Sequence, residues 1–320
     1  MLYLLAAILF SSLFSIIFKI CQQKRIDSSL VLFFNYLTAL VFSIVPIIIT
    51  ILSGNIGAGQ DGVDMTSTVS MSDFSLPGIS VAFALLQGFF FLSGFVIMDR
   101  SVWRSGVALT TVAARSSLVL SLILSWAMLG QSAPRWFPVG IVFAAIFLII
   151  LPTKTIQHKD VVLTSKTDEQ RTRRAIILLF SLFILYGLSD FCLKLTQHTV
   201  ESRFVDESLE MHLSSLTAVI FASASFFSLI YCLARRSFSK FGLKAITGGI
   251  ALGVANCLCT SCCLHALGAM STSVYYPVYN IGIVAVSALA GVLFFKEKLN
   301  WIQISGLVLA ASGITLLFSF

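Results

Sequence analysis

The sequence predicts an all-α membrane protein with ten transmembrane helices arranged as two inverted five-helix repeats. Hydrophobic residues make up 58% of the 320 residues and charged residues 11%, too apolar a chain to bury its surface in one aqueous core. The apolar residues are grouped into ten runs, and the runs of the two halves share short motifs. These three observations predict the fold class.

The ten runs are each expected to cross the membrane as a helix, because lipid offers no partner to an unpaired backbone group. A crossing of the roughly 30 Å hydrocarbon core takes about 20 helical residues. The first run lacks a basic region and a cleavage site, so we expect it to stay as a membrane helix. The runs are Leu2–Cys21, Leu30–Leu52, Ile79–Met98, Gly106–Leu129, Phe137–Leu151, Ala175–Thr196, Leu213–Ala234, Leu243–Leu267, Met270–Phe295 and Trp301–Phe320.

Lys and Arg residues predict the orientation of these helices. The loops on one side carry nearly all of them, whereas the other side has only Arg135 and Arg203 and a long acidic loop over 54–78. By the positive-inside rule the basic loops are cytoplasmic, which predicts a multi-pass protein of the cell (inner) membrane with both termini outside. The basic residues are Lys24, Arg25, Arg100, Arg104, six from Lys154 to Arg174, Arg235, Arg236, Lys240, Lys244, Lys296 and Lys298.

Several classes of function lack support in the sequence. The net charge of +7 lies in short loops without interleaved aromatic residues, so no nucleic acid partner is expected. No P-loop, H-E-x-x-H or G-x-S-x-G motif occurs, and we expect neither an enzyme nor a cofactor. A non-transporting membrane scaffold or receptor is the alternative to a transporter.

The two halves repeat each other in short motifs. FKICQ at 18–22 parallels LKLTQ at 193–197, and LGQ at 129–131 followed by Gly140 parallels FKE at 295–297 followed by Gly306. Because each half has an odd number of helices, the second copy enters the membrane upside down, as in carriers with a substrate site between their halves. The chain then divides into a five-helix unit at 1–152, a cytoplasmic linker at 153–174 and a second five-helix unit at 175–320.

The C-terminal corner resembles a known family. A helix followed by FFKEKLNW at 294–301 and an apolar helix with Gly306 and Gly313 is similar to the end of the EamA domain of the drug/metabolite transporter superfamily. The resemblance spans both halves and implies a secondary active transporter that moves a small metabolite or drug-like solute by alternating access. Gln131 stands where the family's Glu would be in the first unit. Many members are described with cytosolic termini, whereas the charges of this chain predict termini outside.

Two ionisable residues are candidates for chemistry inside the membrane. Arg115 lies near the middle of the fourth run, where a charge costs about 3 kcal/mol or more unless it faces water or an opposite charge. Its planar fork suits a carboxylate or phosphate of the substrate, and a structural ion pair with Asp190 is the alternative. Asp190 is either a proton acceptor that couples transport to a proton gradient or the partner of Lys194, one turn away.

The segment YYPVYN at 275–280 is the second candidate for the substrate site. Pro277 removes one amide hydrogen and exposes backbone polarity at membrane depth, which is tolerated where a helix lines a cavity. Tyr276, Tyr279 and Asn280 would offer hydroxyl and amide contacts there, the alternative being tyrosines of the membrane interface. The resemblance implies a cavity lined by helices one, three, four, six, eight and nine. Asn256 of the eighth helix is therefore a further candidate for substrate binding, and an interhelical hydrogen bond is the alternative role for its side chain.

Other residues are expected to be structural. Gly249 and Gly253 have the spacing of a close helix contact, and Glu297 would stabilise the N-terminus of the last helix. The seven cysteines lie mostly in apolar runs, and we expect packing residues there, with neither a disulfide framework nor a metal site. Helices five and ten carry few polar groups and could form a homodimer contact.

Overall fold

The computed structural model describes residues 2–57, 78–129, 166–201, 208–240, 242–269 and 272–296, and these residues contain no strand. They form nine α-helices and one short 3₁₀ turn at Ser237–Lys240. The helices are α1 Leu2–Gln23, α2 Ser28–Gly57, α3 Gly78–Ser105, α4 Val107–Ser116, α5 Leu118–Leu129, α6 Lys166–Glu201, α7 Ser208–Ala234, α8 Leu243–Ala269 and α9 Thr272–Phe295.

Seven of these helices contain a stretch long and apolar enough to cross a membrane, and together they indicate a multi-pass membrane protein. The stretches lie in α1, α2, α3, α6, α7, α8 and α9, with two or fewer charged residues in their most apolar windows. The fifth and tenth predicted helices, at 137–151 and 301–320, lie outside the described residues. The helical class is therefore confirmed, and the arrangement as ten helices in inverted repeats stays a prediction.

The fourth predicted helix is divided in two. α4 ends at Ser116 and α5 begins at Leu118, with Ser117 between them in the right-handed region at φ −60° and ψ −18°. The Ser117 hydroxyl donates a 2.5 Å hydrogen bond to the carbonyl oxygen of Ala114. Serine side chains that bond back to the preceding turn bend helices, which accounts for an interruption beside Arg115.

α6 begins earlier than its apolar run. It starts at Lys166 and so includes nine residues of the predicted linker at 153–174. The sequence of its first turn includes Asp168 and Glu169, and acidic residue types are favourable at the N-terminus of a helix. Charged residues with good helix propensity can therefore continue a helix beyond its apolar run. A hydropathy pattern does not show where such a helix begins.

The chain packs as two compact units, each built from several segments. The Arg115 unit comprises Met1–Ser28, Ser93–Phe191 and Leu258–Phe320, and the Asn256 unit comprises Ser29–Leu92 and Cys192–Cys257. Both units take residues from both halves of the sequence. Packing contacts therefore form between the predicted repeats and not only inside each one.

The core of the Arg115 unit lies where α1, α8 and α9 meet. Leu4 and Ile8 of α1 pack with Ala266 and Ile283, and all four are 5% exposed or less. Gly282 of α9 allows the close approach of α1, because a Cβ there would lie 2.5 Å from the Cδ1 of Ile8. This packing fixes which face of α9 is turned toward α1, and Tyr279 lies on that face, packed against the same core.

The Asn256 unit has its own helix contacts. Ala84 of α3 packs with Leu216 and Ile220 of α7. Ser223 of α7 donates a 2.7 Å hydrogen bond to the carbonyl oxygen of Leu85. α3 and α7 therefore associate through apolar packing supplemented by an interhelical hydrogen bond, as is common between membrane helices.

Three helices end at a basic residue with a positive φ. Arg25 follows α1 at φ 54°, Arg236 follows α7 at φ 52° and Lys296 follows α9 at φ 51°. After α1 the amide of Ile26 donates to the carbonyl oxygen of Cys21 at 2.8 Å, the hydrogen bond of a Schellman motif with Arg25 at the position usually held by glycine. Each cation lies at the negative end of a helix dipole, which favours a positive charge there. The positive φ, in contrast, is unfavourable for a residue that carries a side chain.

Candidate functional site

Arg115 lies in the last turn of α4. Gly106, with φ 86°, separates α4 from α3, and at a rise of about 1.5 Å per residue Arg115 is about 14 Å further along the chain. A guanidinium within an apolar helix needs polar or anionic neighbours.

Two side chains from other helices contact the guanidinium. Its Nη2 donates a 2.6 Å hydrogen bond to the hydroxyl of Ser11 in α1, which is 3% exposed. Its Cζ lies 5.4 Å from the ring centroid of Tyr279 in α9, a distance at which cation–π attraction operates. The Nε of Arg115 is buried and has no hydrogen-bond partner among the described residues.

Cys259 holds the outer end of Tyr279. Its sulfur lies 3.5 Å from the Tyr279 hydroxyl oxygen and donates toward the carbonyl oxygen of Ala7 at 3.7 Å. The cysteine belongs to α8, Ala7 to α1 and Tyr279 to α9, so one small group links three helices. The tyrosine ring is thereby held between this contact and the guanidinium.

Asp190 and Tyr186 lie one turn apart on α6, within electrostatic range of Arg115. The Tyr186 hydroxyl donates to the Sδ of Met98 at 3.0 Å. Gly94 leaves room for the ring, since a Cβ there would lie 3.1 Å from Tyr186 Cε2. Gly187 packs closely against Leu120, since a Cβ on Gly187 would lie 2.8 Å from the Cβ of Leu120. These contacts set the rotation of α6 and with it the position of the Asp190 carboxyl.

The residues of this site come from both halves of the sequence. Ser11 and Arg115 lie before residue 152, whereas Tyr186, Asp190, Cys259 and Tyr279 lie after residue 175. All six belong to the Arg115 unit. One guanidinium, one carboxyl, two phenols, one hydroxyl and one thiol are therefore brought together from five helices, a set that can bind an anion and exchange a proton.

The structure describes the side chains of the second half of the segment YYPVYN. Tyr279 contacts Arg115 and Asn280 is 5% exposed, whereas the side chains of Tyr276 and Pro277 lie outside the described residues. α9 runs from Thr272 to Phe295 without a break. α9 therefore continues through Pro277, and among the described helices of this site the interrupted one is the pair α4 and α5.

The remaining predicted site residues belong to the Asn256 unit or lie outside the described residues. Asn256 donates a 3.4 Å hydrogen bond to the side-chain oxygen of Asn35. This is the kind of interhelical hydrogen bond that the sequence offered as the alternative to substrate binding. Lys194 belongs to the same unit, whereas Asp190 belongs to the Arg115 unit. Glu297 lies outside the described residues.

Gly249 and Gly253 of α8 lie against α2. A Cβ on Gly253 would lie 2.5 Å from the carbonyl oxygen of Asn35 and 2.6 Å from the Cβ of Thr38, and one on Gly249 would meet Phe34. The backbones of the two helices therefore approach each other closely. This is the arrangement that small residues at four-residue spacing permit.

None of the seven cysteines forms a disulfide. In the described part of the chain no group of three or more His, Cys, Asp or Glu side chains is arranged to hold a metal ion. Cys259 was expected to be a packing residue, and the contact with Tyr279 and Ala7 gives it a place in the candidate site.

Sequence reasoning did not select Ser11, Tyr186 or Cys259. Ser11 is one of several serines in the first apolar run, and nothing in the run distinguishes it from Ser12. Tyr186 stands one turn before Asp190, a spacing that could have indicated a shared face. The selection of a particular serine or cysteine depends on helix rotation, which is set by packing partners far away in sequence.

Comparison with known proteins gives a relative without a stated activity. No family model matches the chain. The chain is similar to an uncharacterized protein of Haemophilus influenzae, with 26% identity over 320 residues that cover 98% of this chain and 97% of that protein. The similarity thus extends over nearly the whole of both chains.

Proposed function

We propose that this chain is a secondary active transporter of the EamA type within the drug/metabolite transporter superfamily. It moves a small metabolite or drug-like solute across the cell membrane by alternating access. In this proposal ten helices form two inverted five-helix repeats at 1–152 and 175–320. The basic loops are cytoplasmic, both termini lie outside, and helices five and ten are available for a homodimer contact.

The observation that carries the proposal is the contact of Arg115 with Tyr279. The guanidinium comes from the fourth helix of the first half and the ring from the ninth helix of the whole chain, so the two halves meet at a charged group within an apolar helix. Carriers built from inverted repeats bind their substrate where the repeats meet, near the middle of the membrane. The Nε of this guanidinium has no partner among the described residues, which leaves a donor to offer to a solute.

A structural role alone explains this arrangement less well. A charge inside the membrane costs free energy, and a chain that needed only packing at this place would be more stable with an apolar side chain. Intramembrane ionisable residues mark substrate and ion pathways for this reason. Arg115 is therefore assigned to binding the anionic group of a solute.

Counterflow in proteoliposomes tests the proposal. A thermal-shift screen of organic acids, amino acids and sugar phosphates against the wild type and Arg115→Ala first identifies ligands whose stabilising effect depends on Arg115. Vesicles loaded with such a ligand should then accumulate its labelled form in exchange, whereas Arg115→Ala vesicles should not. A ligand that binds through Arg115 without any exchange would show a receptor or scaffold and overturn the transport proposal.

A further inference from the structure

The corner between α7 and α8 carries a cluster of exposed cations. Arg235 and Arg236 directly follow the last residue of α7, and Lys244 is the second residue of α8. The apolar stretches on either side, Ser214–Ala234 and Leu243–Cys263, are each long enough to cross a membrane. The three cations therefore lie where two such stretches end, which is the level of the lipid headgroups.

This corner differs from the other basic segments in having no acidic residue. The segments at 24–27, 99–104, 154–174 and 296–298 each contain Asp or Glu, whereas none occurs between Glu210 and Glu297. The Asn256 unit, to which the corner belongs, has no acidic side chain among those that the structure describes. The positive charge of the corner is thus not balanced by a carboxylate among the described side chains of its own unit.

Tyr231 holds the guanidinium of Arg235 one turn further along α7. The Nη1 of Arg235 donates a 3.2 Å hydrogen bond to the Tyr231 hydroxyl, and its Cζ lies 5.7 Å from the centre of that ring. A guanidinium has five N–H donors, so most of them remain for an anion. Their planar arrangement matches two oxygens of a phosphate group.

Contacts with α2 hold the corner in place. The Sγ of Cys232 donates to the carbonyl oxygen of Ser29 at 3.0 Å, and Phe238 packs against Phe33 with ring centroids 5.8 Å apart. Ser237 begins the 3₁₀ turn, is 1% exposed, and its hydroxyl has no hydrogen-bond partner among the described residues. A buried hydroxyl without a partner is unfavourable, and a phosphate oxygen at the turn would accept its hydrogen.

We propose that this corner binds the phosphodiester headgroup of an anionic phospholipid. Clusters of Lys and Arg beside membrane helices attract such lipids. Leu233 is 59% exposed and Leu243 is 75% exposed, and both stand next to the cations in sequence, where they would contact the acyl chains. A soluble phosphate ion offers nothing to these leucines, so the occupant is a lipid. The inference does not depend on the transport function proposed above.

Thermal midpoints of the purified protein in a neutral detergent measure this binding. The wild type is titrated with phosphatidylglycerol, with phosphatidylcholine, whose headgroup has no net charge, or with inorganic phosphate. We expect phosphatidylglycerol to raise the midpoint until the site is saturated. The half-saturating concentrations of phosphatidylcholine and of inorganic phosphate should be at least tenfold higher.

Variants assign the binding to the corner. Arg235→Gln combined with Arg236→Gln should raise the half-saturating concentration of phosphatidylglycerol at least tenfold. Lys244→Gln and Ser237→Ala should each raise it at least threefold, and they keep the inference testable should the double variant fail to fold. Ser237→Ala should leave the midpoint without lipid unchanged, because its hydroxyl has no partner among the described residues.

Arg100→Gln combined with Arg104→Gln is the matched control. These two arginines are also exposed and lie in the last two turns of α3, but Asp99 precedes them. This variant should change the half-saturating concentration less than twofold. Equal losses for the two arginine pairs would show attraction to surface charge in general and would overturn the inference.

Other results would also overturn it. Phosphatidylcholine or inorganic phosphate that stabilises the wild type at the same concentration as phosphatidylglycerol would refute an anionic lipid as the occupant. Wild-type affinity in the variants of Arg235 and Arg236, of Lys244 or of Ser237 would contradict the placement of the phosphate at this turn. None of these measurements uses vesicles, so a failure of transport leaves the inference standing and its own failure leaves the transport proposal untouched.

Discussion

The Nη2 of Arg115 donates a 2.6 Å hydrogen bond to the hydroxyl of Ser11, which links α4 to α1 inside the apolar part of the chain. Ser11 is 3% exposed, so the bond is shielded from water. It fixes the orientation of the guanidinium, including that of Nε. The availability of Arg115 to a solute depends on this anchor.

Replacing Ser11 by Ala should therefore weaken both stability and binding. Loss of one interhelical hydrogen bond to a charged group should lower the unfolding free energy by about 1 kcal/mol, measured as the thermal midpoint in detergent. Ser12→Ala is the control, since the Ser12 hydroxyl donates to the carbonyl oxygen of Ile8 in its own helix at 2.8 Å. Equal effects of the two changes would show that Ser11 has no special role.

The ring of Tyr279 should matter more than its hydroxyl. Tyr279→Phe keeps the aromatic face 5.4 Å from Cζ of Arg115 and loses the contact with the Cys259 sulfur. Tyr279→Leu removes the ring and should weaken Arg115-dependent ligand binding by about 1–2 kcal/mol, the range of a desolvated cation–π contact. Ligand affinities measured by calorimetry distinguish the Phe variant from the Leu variant. A Leu variant that binds as well as the Phe variant would contradict the cation–π assignment.

Gly253 should not tolerate a methyl group. Its Cβ would meet the carbonyl oxygen of Asn35 at 2.5 Å and the Cβ of Thr38 at 2.6 Å, atoms that cannot move without shifting α2. Gly253→Ala should therefore lower the unfolding free energy by about 1–3 kcal/mol. Gly78→Ala is the matched control, because a Cβ there meets nothing within 4 Å. A neutral Gly253→Ala would mean that α2 and α8 do not approach as closely as described.

Arg25 should be replaceable by Gly with a gain in stability. The residue has φ 54° at the end of α1, a conformation that costs a side-chain-bearing residue about 1 kcal/mol and glycine little. Arg25→Gly should raise the thermal midpoint in detergent. Lys24→Gly, one residue earlier in the chain and not among the positive-φ residues, should lower or leave unchanged that midpoint. A higher thermal midpoint for Lys24→Gly than for Arg25→Gly would disprove the glycine-like conformation of Arg25.

The helical membrane class could be predicted from composition and run length alone. Arg115 could be selected because a single charge in a long apolar run is a local feature of the sequence, and Tyr279 because polar residues cluster around it. Ser11 and Cys259 could not, since their part in the site depends on how α1, α8 and α9 are rotated about their axes. That rotation is set by the packing of Ile8, Ile283 and Gly282, which no local pattern shows.

The position of the helix interruption also escaped prediction. Proline is the strongest local signal for a break, yet α9 is continuous over its whole range. The break lies at Ser117, in a pair of serines that resembles many other polar pairs in apolar runs. Backbone bending by a serine depends on which carbonyl its hydroxyl bonds, and here the acceptor is Ala114.

Labelling of Cys259 from each side of the membrane tests the central claim most directly. Cys259 is kept as the only cysteine, the other six being replaced by Ala, and a membrane-impermeant thiol reagent is added to right-side-out or inside-out vesicles; Cys259→Ala in this background is the control. The account predicts that the thiol beside Tyr279 reacts from both sides and is protected by a ligand that binds Arg115. A thiol that reacts in denaturant but from neither side in the membrane would show a dry structural contact and contradict the account.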